Sequence, residues 1–288
     1  MMAKPAPKEA LSANVRGMLW MALTAFLLTV MSGLMKGAGQ TLPVAEIVCI
    51  RMIIGALSML PWMLRGGLAG VSTQRLGGHF VRAVLGIAAF VLYIYAISNM
   101  LLANAMALTF TTPLWMIVVS RIAFGEKAGW PRTIATLVGF AGILIIARPD
   151  VEISTPALAA LASAFLLSLA MLYVKRLSNT ESPQKLAFYV QVFGALFTAP
   201  FVALNWQSPT GWDWTILLAA GFLGTLGLFG QARAYATGSP TAVAPVDFTR
   251  LPIAVLIGIF FFGELPNASA FAGMAVVIGA LVFISRRA

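Results

Sequence analysis

The residues best suited to do chemistry are ionisable side chains inside an apolar stretch. Residues 239–266, SPTAVAPVDFTRLPIAVLIGIFFFGELP, are long enough to cross a bilayer and contain Asp247 and Arg250. A charge at membrane depth is expensive and indicates a functional site. The spacing of three places both side chains on one helix face, with Arg250 about 14 Å along the helix and near mid-membrane.

This pair supports two interpretations. In the first, the pair faces a central cavity, where Arg250 holds a substrate carboxylate and Asp247 holds an amino group or a coupling proton. In the second, the pair is neutralised and locks its helix against a neighbour. We expect the first, because intramembrane charges usually line pathways.

Prolines interrupt the same stretch. Pro245 and Pro252 break the helical hydrogen-bond ladder, which is tolerated at membrane depth only where protein or a water-filled cavity satisfies the freed backbone groups. An earlier stretch, ANAMALTFTTPLWMIVVSRIAFGEK at Ala103–Lys127, echoes this one, with Pro113 one place from the position that matches Pro252. We expect these three prolines to have gating or structural roles. The echo also aligns Phe110 with Phe248 and Gly125-Glu126 with Gly263-Glu264.

The composition excludes several classes of protein. Hydrophobic residues make up 60% of the 288 and charged residues 10%, whereas about a quarter of a soluble domain is charged. The net charge of +10 is spread between apolar segments and does not form a basic face, so no nucleic acid is expected. One cysteine, Cys49, and one histidine, His79, leave no disulfide framework or metal cluster. We expect no cofactor and no metal.

The apolar pattern predicts an all-α integral membrane protein with ten transmembrane helices. Each span needs about 20 mainly apolar residues, and loops of Gly, Pro, Ser and charge separate the spans. The N-terminal run is interpreted as the first span and not as a signal peptide, because it is as long as a full span and lacks a small-residue cleavage site. The predicted spans are 17–36, 43–64, 80–98, 103–122, 130–147, 156–175, 184–204, 214–236, 240–262 and 268–285.

Basic residues predict the orientation of these spans. Of 19 Lys and Arg, 15 fall on the side of the N-terminus and two on the other side, while Arg51 and Arg250 lie within spans. Cytoplasmic loops hold the excess of positive charge. Both termini are therefore predicted to be cytoplasmic, in a bacterial-type inner membrane.

The chain also contains a long-range repeat. TAFLLTVMSGLMKG in the first span matches SAFLLSLAMLYVKR in the sixth at an offset of 139 residues, which aligns Lys36 with Lys175. Five helices per copy is an odd number, so the second copy enters the membrane from the opposite side. The prediction is two inverted-topology five-helix repeats, 1–150 and 151–288, with a substrate site near the midplane between them.

Together these features resemble a known family. The first helix with Trp20, the segment PVAEIVCIRMIIG at Pro43–Gly55, and the proline-then-GE order in both halves are similar to the drug/metabolite transporter superfamily, EamA type, over essentially the whole chain. Within it, the chain resembles YddG-type exporters of amino acids. The resemblance implies a secondary transporter that exports small zwitterionic metabolites, most of all amino acids, aromatic ones included. The superfamily also implies an alternative, an importer of a vitamin or a nucleotide-like metabolite.

Further site residues are predicted from their position in the spans. The expected cavity-lining set comprises polar-tipped or aromatic residues: Trp20, Tyr93, Trp115, Tyr189 and Gln191, with Tyr93 and Trp115 nearest mid-span. Glu46 and Arg51, near the outer end of the second helix, are assigned structural or gating roles, with Glu46 shallow enough to reach interfacial water. Glu126 and Glu264 are expected to cap or clamp loops at helix ends. His79 is expected to be solvated.

Two other classes of protein compete with a transporter. A membrane-embedded lipid-modifying enzyme needs paired catalytic groups at one interface, and the lone His79 argues against it, so no enzyme is expected. A structural or receptor-like protein leaves a midplane ion pair unexplained. Small-residue spacings, Gly139 with Gly142 and Gly273 with Gly279, place the fifth and tenth helices outside the substrate path. The expected partners are a small-molecule substrate and the lipid bilayer, and homodimerisation through these two helices is an open alternative.

Overall fold

The fold consists of helices joined by short connections. A computed structural model describes residues 12–65, 71–124, 130–147, 154–178, 180–238 and 243–286, and all regular structure within these ranges is helical. The elements are α1 (Ala13–Ala38), α2 (Val44–Leu64), α3 (Leu76–Asn99), α4 (Leu102–Thr109), α5 (Thr112–Phe124), α6 (Trp130–Ala147), α7 (Thr155–Leu177), α8 (Pro183–Leu204), α9 (Gly211–Thr237), a 3-10 helix (Ala244–Thr249), α10 (Arg250–Phe262) and α11 (Ala268–Arg286).

These elements make ten membrane crossings, as predicted. Seven helical stretches of the described residues are long and apolar enough to span a bilayer, among them Leu102–Val119 across α4 and α5. Shorter apolar helices lie within α6 and α11, and the 3-10 helix with α10 makes the ninth crossing. The predicted ninth span starts at residue 240, so its first three residues lie outside the described part of the chain.

The ninth crossing is broken where the prolines predict a break. Pro245 lies in the first turn of the 3-10 helix, and Pro252 lies in the first turn of α10. A first turn tolerates proline because its N–H groups have no partner within the helix. The break places Asp247 in one helical segment and Arg250 at the start of the next.

The fourth crossing, predicted as the span 103–122, is broken as well. It breaks at Phe110 and Thr111 into α4 and α5, with Pro113 in the first turn of α5. The two broken crossings meet at matching positions, because the rings of Phe110 and Phe248 contact edge to face at 5.6 Å. The echo between the two stretches therefore corresponds to a contact between their breaks.

The packing of the helices follows the inverted repeat. The first half comprises α1 to α6, and the second comprises α7 to α11 with the 3-10 helix. The contact of α1 with α9 has its equivalent in the contact of α7 with α3, and the equivalent helices α2 and α8 pack together, as do α6 and α11. A two-fold relation between halves produces this pattern, as in other inverted-repeat transporters.

Glycines allow α6 and α11 to approach at backbone distance. A Cβ on Gly142 would lie 3.0 Å from the carbonyl oxygen of Gly273, and a Cβ on Gly273 would lie 2.8 Å from that of Gly142. Small residues permit such crossings in membranes. Gly279, in contrast, has no neighbouring atom within 4 Å of an added Cβ, so it does not take part in this contact.

Candidate functional site: a central cavity with two arginines

A cavity of about 450 Å3 lies between the two halves. Small-molecule sites typically enclose about 300–1,000 Å3. Its wall comes from both broken crossings and from α1, α2, α3, α7 and α9, while none of the described side chains of α6 and α11 lines it. The lining residues are Leu28, Met31, Ser32, Arg51, Gly86, Ala89, Phe90, Tyr93, Met106, Thr109, Phe110, Thr112, Pro113, Ser163, Leu167, Met171, Leu228, Gln231, Asp247 and Arg250.

Asp247 and Arg250 both line this cavity, and they form an ion pair. Arg250 Nε lies 2.7 Å from Asp247 Oδ1, and the side chains are 17% and 20% exposed. This contact uses one nitrogen and one oxygen, both buried, and Nη1 and Nη2 of Arg250 and Oδ2 of Asp247 have no partner among the described residues. The pair therefore neutralises two charges at short range, while these three atoms stay available to a ligand in the cavity.

Tyr93 is the predicted aromatic residue that the structure does place in the cavity wall. Its hydroxyl donates to Ser32 Oγ at 2.8 Å, and Ser32 in turn donates to the carbonyl of Leu28 at 2.9 Å. Because Ser32 and Leu28 also line the cavity, this chain links α3 to α1 along its wall. The Tyr93 oxygen keeps its capacity to accept a hydrogen bond.

Arg51 is a second cation in the cavity wall. Its side chain is 9% exposed, and Nη1 donates to Gln191 Oε1 at 2.9 Å. The guanidinium carbon lies 5.0 Å from the centroid of the Phe90 ring, which also lines the cavity. Gly55 makes room for this arrangement, since a Cβ there would lie 2.2 Å from Gln191 Nε2. Gln191 thus holds Arg51 from behind.

A different ion pair fastens the ends of four crossings on the side of the membrane opposite the N-terminus. Lys36 Nζ lies 2.6 Å from Glu264 Oε1 and donates to the carbonyls of Ile97 and Met100 at 2.7 Å each. Glu264 Oε2 accepts from the backbone N–H of Leu102 at 2.8 Å. We call this group of five residues the far-side clamp; it ties α1 and the end of α10 to the connection between α3 and α4.

The GE dipeptide explains how Glu264 reaches this clamp. Gly263 ends α10 in the left-handed conformation, with φ +65°, which glycine adopts without a Cβ penalty. The N–H of Glu264 then donates to the carbonyl of Gly258 at 2.9 Å, so the chain folds back over the helix end. These contacts agree with the predicted loop clamp for Glu264. The matching residue, Glu126, lies outside the described residues.

Three aromatic residues predicted to line the cavity, Trp115, Trp20 and Tyr189, are not among its lining residues. Trp115 stands between Phe140 and Phe165, with ring centroids at 4.8 and 5.4 Å, and is not among the cavity-lining residues. Trp20 is 36% exposed on the outside of the bundle and meets Phe229 edge to face at 6.3 Å. Both helices are weakly amphipathic, so their apolar pattern does not reveal which face is turned inward.

Tyr189 belongs to a polar cluster on the N-terminal side of the membrane. Its hydroxyl donates to the carbonyl of Val71 at 2.7 Å, and its ring lies 4.5 Å from that of His79. His79 is 1% exposed, and its Nε2 lies 3.9 Å from Glu181, which also accepts from Thr73. The expectation of a solvated His79 is wrong, because α8 and the chain before α3 cover it. The cluster fastens that connection to α8.

Glu46 is fully buried, so the expectation that it reaches interfacial water is wrong. Its Oε2 accepts from the backbone N–H of Gln207 at 3.1 Å, and its Oε1 has no partner among the described residues. The loop between α8 and α9 therefore covers the start of α2. Glu46 forms no ion pair with Arg51 in the described part of the chain, so the two residues act separately.

From the sequence, Arg51 was assigned a structural or gating role and Gln191 a place in the cavity wall. The structure places Arg51 in the wall and Gln191 behind it. Gln191 contacts Arg51 from behind and is not among the cavity-lining residues. Arg51 carries the same signal as Arg250, a single charge within an apolar span, and that signal places it at the cavity.

Comparison with known proteins identifies the family. The model of the EamA-like transporter family matches this chain twice, at residues 15–148 and 154–286. The chain belongs to the EamA-like transporter family. The resemblance to the drug/metabolite transporter superfamily, EamA type, is thereby confirmed, and the protein is a multi-pass membrane transporter.

The relatives of this EamA-like protein are named after different substrates. The riboflavin transporter of Vibrio cholerae is 28% identical over 94% of this chain and 93% of its own. The S-adenosylmethionine uptake transporter of Rickettsia conorii is 26% identical over 96% of this chain and 94% of its own. The pseudopaline exporter CntI of Pseudomonas aeruginosa is 32% identical over 94% of this chain and 96% of its own.

A solved crystal structure shares the fold. The superposition covers 94% of this chain and 98% of the chain in that structure, with a TM-score of 0.65 and 17% sequence identity. At that identity the likeness concerns the fold alone.

Proposed function

We propose that this EamA-like protein exports small zwitterionic metabolites, amino acids in particular and aromatic ones included, by alternating access through the central cavity. The observation that carries the proposal is the Asp247–Arg250 pair, which faces the cavity and leaves Nη1 and Nη2 of Arg250 and Oδ2 of Asp247 without a partner among the described residues. A zwitterion presents one group of each sign. Its carboxylate would meet Arg250 and its amino group Asp247, so neither charge enters the membrane uncompensated.

The position of the pair suits a carrier mechanism. It lies at the break of the ninth crossing, against the break of the fourth, where the two halves meet. In inverted-repeat carriers, rocking of one half against the other alternately exposes a site at such breaks. The wall also offers hydroxyl groups from Ser32, Thr109 and Tyr93 for orientation.

Import of a vitamin or a nucleotide-like metabolite is the competing function. The names of the riboflavin and S-adenosylmethionine transporters favour it, and the name of the pseudopaline exporter favours the outward direction. The finer likeness to YddG-type exporters and the cytoplasmic location of both termini stay predictions. Direction is not encoded in a symmetric repeat.

The experiment is counterflow of labelled compounds in proteoliposomes that contain only this protein. We expect flux of amino acids above that of empty vesicles. A broad panel of amino acids without flux, together with flux of riboflavin or S-adenosylmethionine, would replace the exporter proposal with the importer alternative.

A further inference from the structure

The charges in the cavity wall do not balance. Its fixed charges are the cations Arg51 and Arg250 and the anion Asp247. Asp247 is already paired with Arg250. Within the described residues no carboxylate pairs with Arg51, whose polar contacts are the neutral Gln191 and the sulfur of Met52.

The packing around Arg51 holds it in place without neutralising it. Gln191 fixes one guanidinium nitrogen, and Phe90 stacks beside the group. On the α9 side, a Cβ on Gly224 would lie 3.0 Å from Nη2 and 2.8 Å from Met31 Sδ, so glycine at this position leaves room for the guanidinium. Nε has no hydrogen-bond partner among the described residues. A buried cation in this state is expensive unless an anion meets it.

We propose that Arg51 is a second anion site of the cavity, so that the preferred substrate is an amino-acid-like zwitterion with one further carboxylate. This inference rests on the proposed function, because the zwitterionic part meets Arg250 and Asp247. A substrate of net charge −1 balances the wall, which carries two cations and one anion. Arginine suits this role because its planar fork binds a carboxylate through two parallel hydrogen bonds.

The substrate class is tested first on the unaltered protein. Two pairs of amino acids differ by one charge at nearly equal shape, namely L-glutamate with L-glutamine and L-aspartate with L-asparagine. A hydrogen-bonded charge contact is worth about 1.5–3 kcal/mol. We therefore expect counterflow in proteoliposomes to half-saturate at about tenfold lower concentration for the acid than for its amide, in at least one pair.

The residue is then tested with three variants. Arg51→Gln should bring the acid-to-amide ratio close to one, while Arg51→Lys, which keeps the charge without the fork, should retain part of the preference. Arg233→Gln is the matched control. Arg233 also stacks on a phenylalanine, Phe229 at 5.6 Å, but is exposed and outside the cavity lining. This control should keep the full preference.

Each result has one meaning. Equal or better transport of the amides by the unaltered protein overturns the inference and leaves amino-acid transport standing. A preference for acids that survives in Arg51→Gln overturns the assignment to Arg51. The absence of amino-acid flux above empty vesicles overturns the proposed function together with this inference. Should Arg51→Gln fail to fold, the comparison of acids with amides on the unaltered protein still decides the substrate class.

Discussion

Two ion pairs flank α10, and they differ in how completely their polar groups are satisfied. In the far-side clamp, the three donors of Lys36 reach Glu264 and two backbone carbonyls, and Glu264 also accepts from Leu102. At the other end, Asp247 and Arg250 are equally close through one contact, while Nη1 and Nη2 of Arg250 and Oδ2 of Asp247 have no partner in the described part of the chain. Distance does not separate the two pairs, whereas the number of satisfied polar groups does.

The difference teaches how to interpret charges in a membrane protein. A saturated pair has no capacity left for a ligand, so its free energy stabilises one arrangement of helices. An unsaturated pair at a cavity is stabilised further by any ligand that completes it. The rule that intramembrane charges indicate function therefore needs a count of satisfied donors and acceptors beside it.

The largest expected effect is on the saturated pair. Lys36→Met leaves Glu264 buried without its cation, and removal of one partner of a buried pair typically costs about 3–5 kcal/mol. We expect the melting temperature of the detergent-solubilised protein to fall by several degrees. The double variant Lys36→Met with Glu264→Gln should recover part of the loss, because it removes the uncompensated charge and keeps an acceptor for Leu102. A melting temperature unchanged in Lys36→Met would contradict the clamp.

A smaller effect is expected from a change at Asp247, the carboxylate of the unsaturated pair. Asp247→Asn keeps the size of the side chain and removes its capacity to exchange a proton. If Asp247 carries the coupling proton, flux in proteoliposomes responds to an imposed pH gradient, and the variant loses that response. Glu46→Gln, which alters a carboxylate outside the cavity, serves as the control. Equal responses of the original protein and Asp247→Asn would assign coupling to another group.

The smallest effect is expected at Glu46. Its carboxylate has one backbone donor, Gln207, and no ion pair among the described residues, so Glu46→Gln keeps the acceptor and removes a charge at no cost in contacts. We expect this variant to stay within about 1 kcal/mol of the original stability, and Glu46→Ala to lose about 1–3 kcal/mol because the N–H of Gln207 is left unpaired. Equal stability of both variants would show that the loop does not depend on this bond.

The sequence was sufficient for the crossings and for the central pair. Apolar length marks a span whatever it packs against, and Asp247 and Arg250 are three residues apart on one turn, so local geometry alone brings them together. The prolines predicted the break in the ninth crossing for the same local reason. The fourth crossing also has its proline, Pro113, in the first turn of a helix, and it breaks there in the same way.

Long-range contacts were beyond the sequence. Arg51 meets Gln191 across 140 residues, and Glu46 is covered by a loop 161 residues away. In a weakly amphipathic helix, the apolar pattern does not tell which face meets the cavity and which meets lipid, so Trp20 and Trp115 were assigned to the wrong surroundings. A charge or a turn residue is informative in this class of protein, and an aromatic residue in a span is much less so.

The central claim is that the unsaturated pair, Asp247 with Arg250, binds the transported substrate. The saturated pair, Lys36 with Glu264, stabilises the fold. The most direct test measures amino-acid counterflow per folded molecule, together with melting temperature, in Arg250→Ala and Lys36→Met. The account predicts that Arg250→Ala loses flux by about 100-fold, the equivalent of about 2.7 kcal/mol of contact to a charged group, with nearly unchanged folding. Lys36→Met should instead lose stability first. An Arg250→Ala protein that misfolds, yet transports normally per folded molecule, would contradict the account.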